Sequence, residues 1–454
     1  MSSRHLLVGR FGSKDTISIP HSSDETLTEL PLVQGQKTLN FGIQAVLDDL
    51  EKLNVFPSEV GVDLLILASI VHAADTRLSR AKESQDSWTR EIRLVVPVSN
   101  LKLWISVRDL LVTMLNFLTG DKWDVGFRER PSKFMRTVHN SALIPPNFDA
   151  VNLFSGGLDS LIGAIDSLEY GDRPLLVSHA GEGSTSDVQN SCFSALEDEY
   201  PSRSFQRLRY WYNTPKAIFK GIEGEDTTRG RSFLFLALGV CAGSGLQNQF
   251  RLRVPENGLI ALNVPLDALR LGSLSTRTTH PFYMARWNNL IDGLGMNGTA
   301  TNPYWNKTKG EMVAECKNQD LLQKVSSMSL SCSSPTKSRW LGRGVEHCGY
   351  CLPCIIRRAA LLQGKNGIYD RTTYTLESLK NQTINTGNSE GKQIRSFQIA
   401  IARLVKDPSI AKMLIHKSGS LIDETNHLSE LENVYRRGMQ EVGNLLSSTH
   451  TKAD

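Results

Sequence analysis

The chain has no apolar stretch long enough to cross a bilayer. Its most hydrophobic run, Leu64–Ala74, lies between Asp63 and Asp75 and falls well short of the ~20 residues a spanning helix needs. The N-terminus, MSSRHLLVGRFG, holds only a three-residue apolar patch, so no secretory signal is expected. Excess charge is missing too. A net +4 over 454 residues provides no basic footprint of the kind nucleic acid requires, and nucleic acid is not expected as a partner. Seven cysteines are too few for a disulfide scaffold in a chain this long. Internal repeats and low-complexity tracts are also absent. These absences point to a cytoplasmic globular protein of two or three domains, with no membrane partner.

Two familiar phosphate-binding signatures are missing as well. No Lys follows a glycine loop as in GxxxxGK[ST], and no three-glycine dinucleotide fingerprint occurs. What the chain does have is Val151–Ile165, VNLFSGGLDSLIGAI. Val151–Phe154 fits a buried parallel strand. Gly156 and Gly157 permit a tight turn, and Asp159 and Ser160 stand where a helix would begin. A strand, a glycine turn and a helix N-terminus together form an anion cradle. Ser155, Gly156, Gly157, Leu158, Asp159 and Ser160 are therefore candidate anion-binding residues.

The expected fold class is α/β, a doubly wound parallel sheet carrying this loop, with an N-terminal α/β extension and C-terminal helices. The first unit, 1–145, shows helical periodicity at Phe41–Leu53, Val60–Leu78 and Leu101–Leu118, and strands at Glu91–Pro97 and Trp123–Arg128. It contains no catalytic constellation; His72 and Trp104 read as core or partner-facing residues. Ile144-Pro145-Pro146-Asn147 marks a boundary. In the second unit, 148–366, strands are expected at Leu175–His179, Arg207–Tyr212, Gly258–Val264 and Gly298–Asn302, and a helix at Arg229–Val240. Ligands bind at the carboxyl ends of such strands. That rule gathers Ser155–Ser160, His179–Glu182, Asn263–Asp267 and Asn302–Lys309 around one cleft, with His179 among the ligand-binding candidates. Arg229 and Arg231 oppose the dipole of the helix they start, which suggests a phosphate or carboxylate contact. Lys309 is a further phosphate candidate. The polar loop Leu271–Pro281, with Arg277 and His280, suits a planar polar ligand. In 367–454, Asn381–Lys392 reads as a polar linker and Ile394–Val405 and Leu428–Leu446 as amphipathic helices.

Cysteine, though sparse, is concentrated. Cys332, Cys348, Cys351 and Cys354 place four thiolates in one short segment, HCGYCLPC plus a distant Cys. That set suits tetrahedral zinc with no open position, hence a structural metal. An Fe–S cluster ranks below zinc, and His347 is a poorer ligand. Cys192, Cys241 and Cys316 read as core. Arg357 and Arg358 would cap the sulfurs or face solvent.

SGGLDS resembles the pyrophosphate loop of the PP-loop ATP pyrophosphatases. SGGLDS, Arg231-Ser232-Phe233-Leu234, Thr308-Lys309-Gly310-Glu311, then Cys332, HCGYCLPC and Arg357, in this order, resemble the QueC-like 7-cyano-7-deazaguanine synthase family over about 150–365. The resemblance implies ATP and Mg²⁺ at the loop, zinc beside it, and adenylation of 7-carboxy-7-deazaguanine followed by attack of an amine. Asp159, Lys309 and Arg231 would then be the catalytic candidates. Ser232 stands where the family usually has Asn, and the Leu271–Pro281 loop is an intrusion. The extra length is similar to that of QueC-like proteins of bacterial anti-phage operons, which implies a protein from the same operon as the amine donor. Ammonia as acceptor, a tRNA-modifying pyrophosphatase and a non-catalytic assembly subunit are the alternatives.

Overall fold

A computed structural model describes residues 4–453, apart from 36–37, 85, 139–145, 181–182, 226–228, 247, 267–276 and 364–369. The fold is mixed α/β with two main parallel sheets. The first contains β1 (Arg4–Arg10), β2 (Glu25–Pro31), β3 (Glu91–Val98) and β4 (Lys122–Glu129), in the order β2-β1-β3-β4. The second contains β5 (Ala150–Leu153), β6 (Pro174–Ala180), β7 (Gln206–Trp211), β8 (Phe250–Arg253) and β9 (Gly298–Thr301), in the order β9-β8-β5-β6-β7. Every strand pair in it is parallel. β5 and β6 are buried along their whole lengths, as strands covered on both faces must be.

Between the sheets lie two helices, α1 (Glu59–Arg77) and α4 (Arg231–Gly243). α1 packs on β1 and β3 and also against α4, which covers β5, β6 and β8. α1 is buried from Gly61 to Asp75, all round, because each of its faces meets a sheet or a helix. Its sequence is accordingly apolar on every side, without a polar stripe. One continuous core runs from Leu7 and Val71 through Leu234 and Leu238 to Leu153 and Val177.

The two central helices are also tied by charge. Asp75, near the end of α1, accepts the Gly230 N–H at the start of α4 at 2.6 Å. Its other oxygen pairs with Arg90 at 2.9 Å and Arg80 at 3.2 Å, and both arginines reach Asp121. Arg90 is fully buried. Removing one partner of a buried charge set costs about 3–5 kcal/mol, since it strands the other charge. Asp75→Ala should lose stability of that order in urea unfolding. A loss below about 1 kcal/mol would mean that the network contributes little.

Several expected elements change on folding. Gly258–Val264 is not a strand: Gly258–Leu262 forms a short helix, α5, capped by the Asn257 side chain, which accepts the Ile260 N–H at 3.1 Å. The strand beside β5 is instead the more polar Phe250–Arg253, β8. A five-residue apolar run cannot distinguish the two states, and Pro255-Glu256-Asn257 punctuates the chain between them. Leu101–Leu118 is two helices, Leu101–Ser106 and Arg108–Thr119, joined at Val107. Within Asn381–Lys392, Thr383–Asn385 pairs with His450–Lys452, and α9 (Ser389–Lys406) has already begun. The boundary residues Ile144-Pro145 and most of the Leu271–Pro281 loop lie outside the described residues. α10 (Leu428–Leu446) packs on α5, on α7 (Lys309–Glu315), on α8 (Leu352–Gln363) and on α9. Among the described residues no helix is long and apolar enough to cross a membrane.

Candidate functional site

The site lies at the carboxyl ends of β5, β6 and β8. After Leu153 the chain turns through Gly156, whose φ of 81° lies in the left-handed region that glycine enters freely. It then enters α2 (Leu158–Glu169). Among the described residues the Ser155 and Gly156 amides meet no acceptor. Those of Gly157 and Leu158 make only long contacts, to Ser155 Oγ at 3.3 Å and Ser331 Oγ at 3.4 Å. The hydroxyls of Ser155 and Ser160 are 3.2 Å apart. Converging N–H groups and hydroxyls at a helix start favour an anion.

Asp159 and Lys309 meet directly. Lys309 Nζ lies 2.7 Å from Asp159 Oδ1 as an ion pair, and both residues are buried. Asp159 Oδ2 accepts from the Asn257 backbone at 3.1 Å and from Asn257 Nδ2 at 2.8 Å. Oδ2 is therefore committed to protein donors, and Oδ1 faces the Lys309 charge. Lys309 opens α7 behind a capping box of Thr308 and Glu311. Glu441 of α10 braces that start, accepting from Thr308 Oγ1 and from Gly310 N–H at 3.2 Å.

Glu256 sits beside this pair, a residue that the sequence reading passes over because it places the strand further along. Asn302 holds its backbone, donating to Glu256 O at 2.7 Å and accepting its N–H at 3.3 Å. Thr279 donates to its carboxylate. Burial and the nearby Asp159 charge push its carboxyl up to about 7, against the Thr279 bond and Lys309, which pull it down. The native carboxyl thus keeps its proton well above 4.5, where an unfolded one loses it. Between those values the native state binds more protons, so this group's contribution to stability falls as pH rises from about 4.5 to 7. Thermal melts of wild type and Glu256→Gln should diverge across this range, with wild type losing about 3 kcal/mol relative to the variant by pH 8. Parallel curves would contradict the assignment.

Arg231 and His179 come together, and His72 of α1 joins them. The His179 and His72 rings are 5.8 Å apart and edge-on. Both titrate far below the ordinary imidazole, His72 near 4 and His179 near 3. Burial is the first cause and the Arg231 charge the second. Both are therefore neutral at physiological pH. The Arg231 side chain is open to solvent but lies deep in the molecule, and that setting lowers its pKa. Arg229 is elsewhere: its Nη1 donates to Thr119 O at 2.8 Å and its guanidinium lies over Trp88. Arg277 and His280 are structural too. Arg277 donates to Phe117 O at 2.6 Å, and His280 Nδ1 accepts the Phe282 N–H at the start of its helix.

The four cysteine sulfurs lie within 4.8 Å of one another. Cys332 and Cys351, and Cys348 and Cys354, are each 3.9 Å apart, close to the edge of a zinc–thiolate tetrahedron. Backbone N–H groups of Ser334 and Cys348 donate to Cys332 Sγ, and that of Cys351 to Cys348 Sγ, each at 3.3 Å. Gly349, φ 87°, makes the turn between the sulfurs. Four soft donors with amide support fit zinc, and Cys192, Cys241 and Cys316 are buried apart from them. His347 is not a ligand; its Nε2 accepts the Ser331 N–H at 3.1 Å. Arg357 neither caps sulfur nor faces solvent. It is fully buried and donates to Ser329 Oγ, Ser326 O and Thr372 Oγ1. Arg358 donates to the backbone at Leu376 and Glu377.

The protein is thus an α/β protein of parallel sheets with a Cys₄ centre able to hold a metal such as zinc. No protein-family model matches the chain, and no curated protein matches it.

Proposed function

We propose that the chain is a PP-loop enzyme that cleaves ATP to AMP and pyrophosphate while adenylating a carboxylate, and then passes the acyl group to an amine. The observation that carries this reading is the strand–Gly156–helix cradle with its unfilled amides. A carboxylate is a poor electrophile, and joining it to AMP supplies a leaving group. The amides of Ser155–Leu158, with the Ser155 and Ser160 hydroxyls, hold the departing pyrophosphate. The Asp159–Lys309 pair fixes the start of α2 against α7. Arg231 supplies positive charge on the α4 side. Glu256 is the carboxyl not already tied up by cations or amides, and its hard oxygens suit Mg²⁺, which when bound neutralises phosphate charge. Zinc in the Cys₄ centre is structural.

The acid is 7-carboxy-7-deazaguanine, on the resemblance to QueC-like proteins. The layout is similar to that of the QatC component of the Qat anti-phage systems, so the acceptor amine belongs to a protein from the same operon. Ammonia would instead yield an amide that a second ATP converts to the nitrile. The test incubates the protein with ATP, Mg²⁺ and 7-carboxy-7-deazaguanine, with and without the neighbouring-operon proteins. Mass spectrometry should find AMP and a polypeptide carrying the deazapurine. AMP with a free nitrile would replace the protein acceptor by ammonia, and no AMP under any condition would refute the reading.

A further inference from the structure

Three polar groups at the mouth of α4 have no hydrogen-bond partner among the described residues. His179 is 8% exposed and His72 is 6% exposed. Both ring nitrogens of His179 and Nδ1 of His72 are buried without a hydrogen bond. Leaving a buried polar atom unpaired costs about 1–3 kcal/mol, so three in adjoining rings call for an occupant. The Arg231 guanidinium has no acceptor among the described residues, and no carboxylate acts on it. With both imidazoles neutral, the group is net positive. The unopposed Arg231 charge disfavours a cation and suits a ligand that carries a negative group.

Its shape follows from the walls. The His72 ring stands edge-on to Tyr212 at 4.7 Å, and His179 to Tyr210 at 6.3 Å. Both tyrosine hydroxyls are already used: Tyr212 donates to Ser69 O at 2.8 Å, and Tyr210 to Phe41 O at 3.0 Å. The tyrosines therefore offer ring surface only. Four aromatic rings beside one guanidinium suit a flat ring bearing a single anionic group, and the apolar walls would not match a polyphosphate. The neutral imidazoles, each with one donor and one acceptor, can read polar atoms on the edge of such a ring.

We infer that His72, His179 and Arg231 form the subsite for a planar heterocyclic carboxylate, and that the N-terminal unit contributes to it through His72. Arg231 takes the carboxylate and the two imidazoles read the heterocycle. The identity of the acid as a deazapurine rests on the function proposed above; the subsite itself rests on the unpaired groups. Gln189 connects it to the phosphate cradle, since its Nε2 donates to the carbonyls of both His179, at 3.2 Å, and Ser155, at 3.3 Å. The two sites are thus tied together by one side chain.

The test measures binding to the full zinc-loaded chain by calorimetry. The probes are 7-carboxy-7-deazaguanine, 7-deazaguanine without the carboxylate, and ATP. Wild type should favour the acid over the uncarboxylated ring by about tenfold or more, the worth of one charge-assisted bond. Arg231→Gln should erase that preference. His72→Phe, which keeps the ring packing, should weaken the acid about tenfold and ATP less than about twofold. In wild type, the imidazole nitrogen resonances of His72 and His179 should move on adding the acid without nucleotide, a readout that needs no variant. Unmoved resonances, or an unchanged acid affinity in folded His72→Phe, would overturn the subsite even if AMP is formed. Movement with ATP but not with the acid would overturn it too, by assigning the rings to the nucleotide. Acid binding with the predicted resonance shifts but no AMP would uphold the subsite and refute the proposed reaction.

Discussion

Removing metal from the Cys₄ centre is expected to loosen the Ser155–Ser160 loop as well as the centre itself. The coupling runs through a few atoms. Cys332 directly follows Ser331, and Ser331 Oγ accepts from both Leu158 N–H and the buried Arg357. The neighbouring Leu330 N–H donates to Gly156 O at 2.9 Å. Metal affinity at such a centre is folding free energy, because an unfolded chain has no preformed site. Chelation, or Cys351→Ser, should therefore cost on the order of 5 kcal/mol or more. Elemental analysis should give one zinc per wild-type chain and none in the variant, with no labile sulfide. Hydrogen exchange should show the Leu330 amide losing protection together with those of the Cys348–Cys354 knuckle. A metal-free protein with an unchanged melt and an unchanged Leu330 amide would break the proposed connection.

The second large effect concerns Asp159. Asp159→Ala strands the Lys309 ammonium in a buried site and leaves two Asn257 donors without an acceptor. The expected loss is about 3–5 kcal/mol, together with AMP-forming activity. Two contributions can be separated. Lys309→Met placed on Asp159→Asn removes the unpaired charge and keeps the shape, so the double variant should recover most of the stability. It should not recover ATP cleavage if the charged pair shapes the cradle in the reaction. Recovery of both would reduce the pair to a structural tie. Failure to recover stability would mean that the ion pair was not the source of the loss.

The parts of this site that could be read in advance were those written in consecutive residues. SGGLDS combines strand, turn and cap within six positions, and the four cysteines come with their own spacing. Lys309 is likewise written in consecutive residues, Thr308-Lys309-Gly310-Glu311, and the structure adds that Thr308 and Glu311 form a capping box in front of it. Residues brought together by tertiary packing were not legible. Glu256 follows β8, a strand whose Arg251 and Arg253 mask its place inside the sheet, while the apolar segment just beyond reads as a better strand than it is. His72 sits in a helix that is buried nearly all round and mostly apolar, where a histidine has every mark of a core residue. Only the approach of α1 to α4 puts it next to Arg231. Arg229 and Arg231, two residues apart at one helix start, look equivalent in sequence. The fold sends one to Thr119 and Trp88 and leaves the other exposed.

The shared helical layer also has a consequence for how the chain is made. α1 leaves the ribosome more than a hundred and fifty residues before α4, its neighbour in the core, has been synthesised. Until then one flank of a mostly apolar rod has nothing to lie against. The nascent N-terminal half must either be shielded by a chaperone or stay loosely collapsed, and its final docking is a late, long-range event.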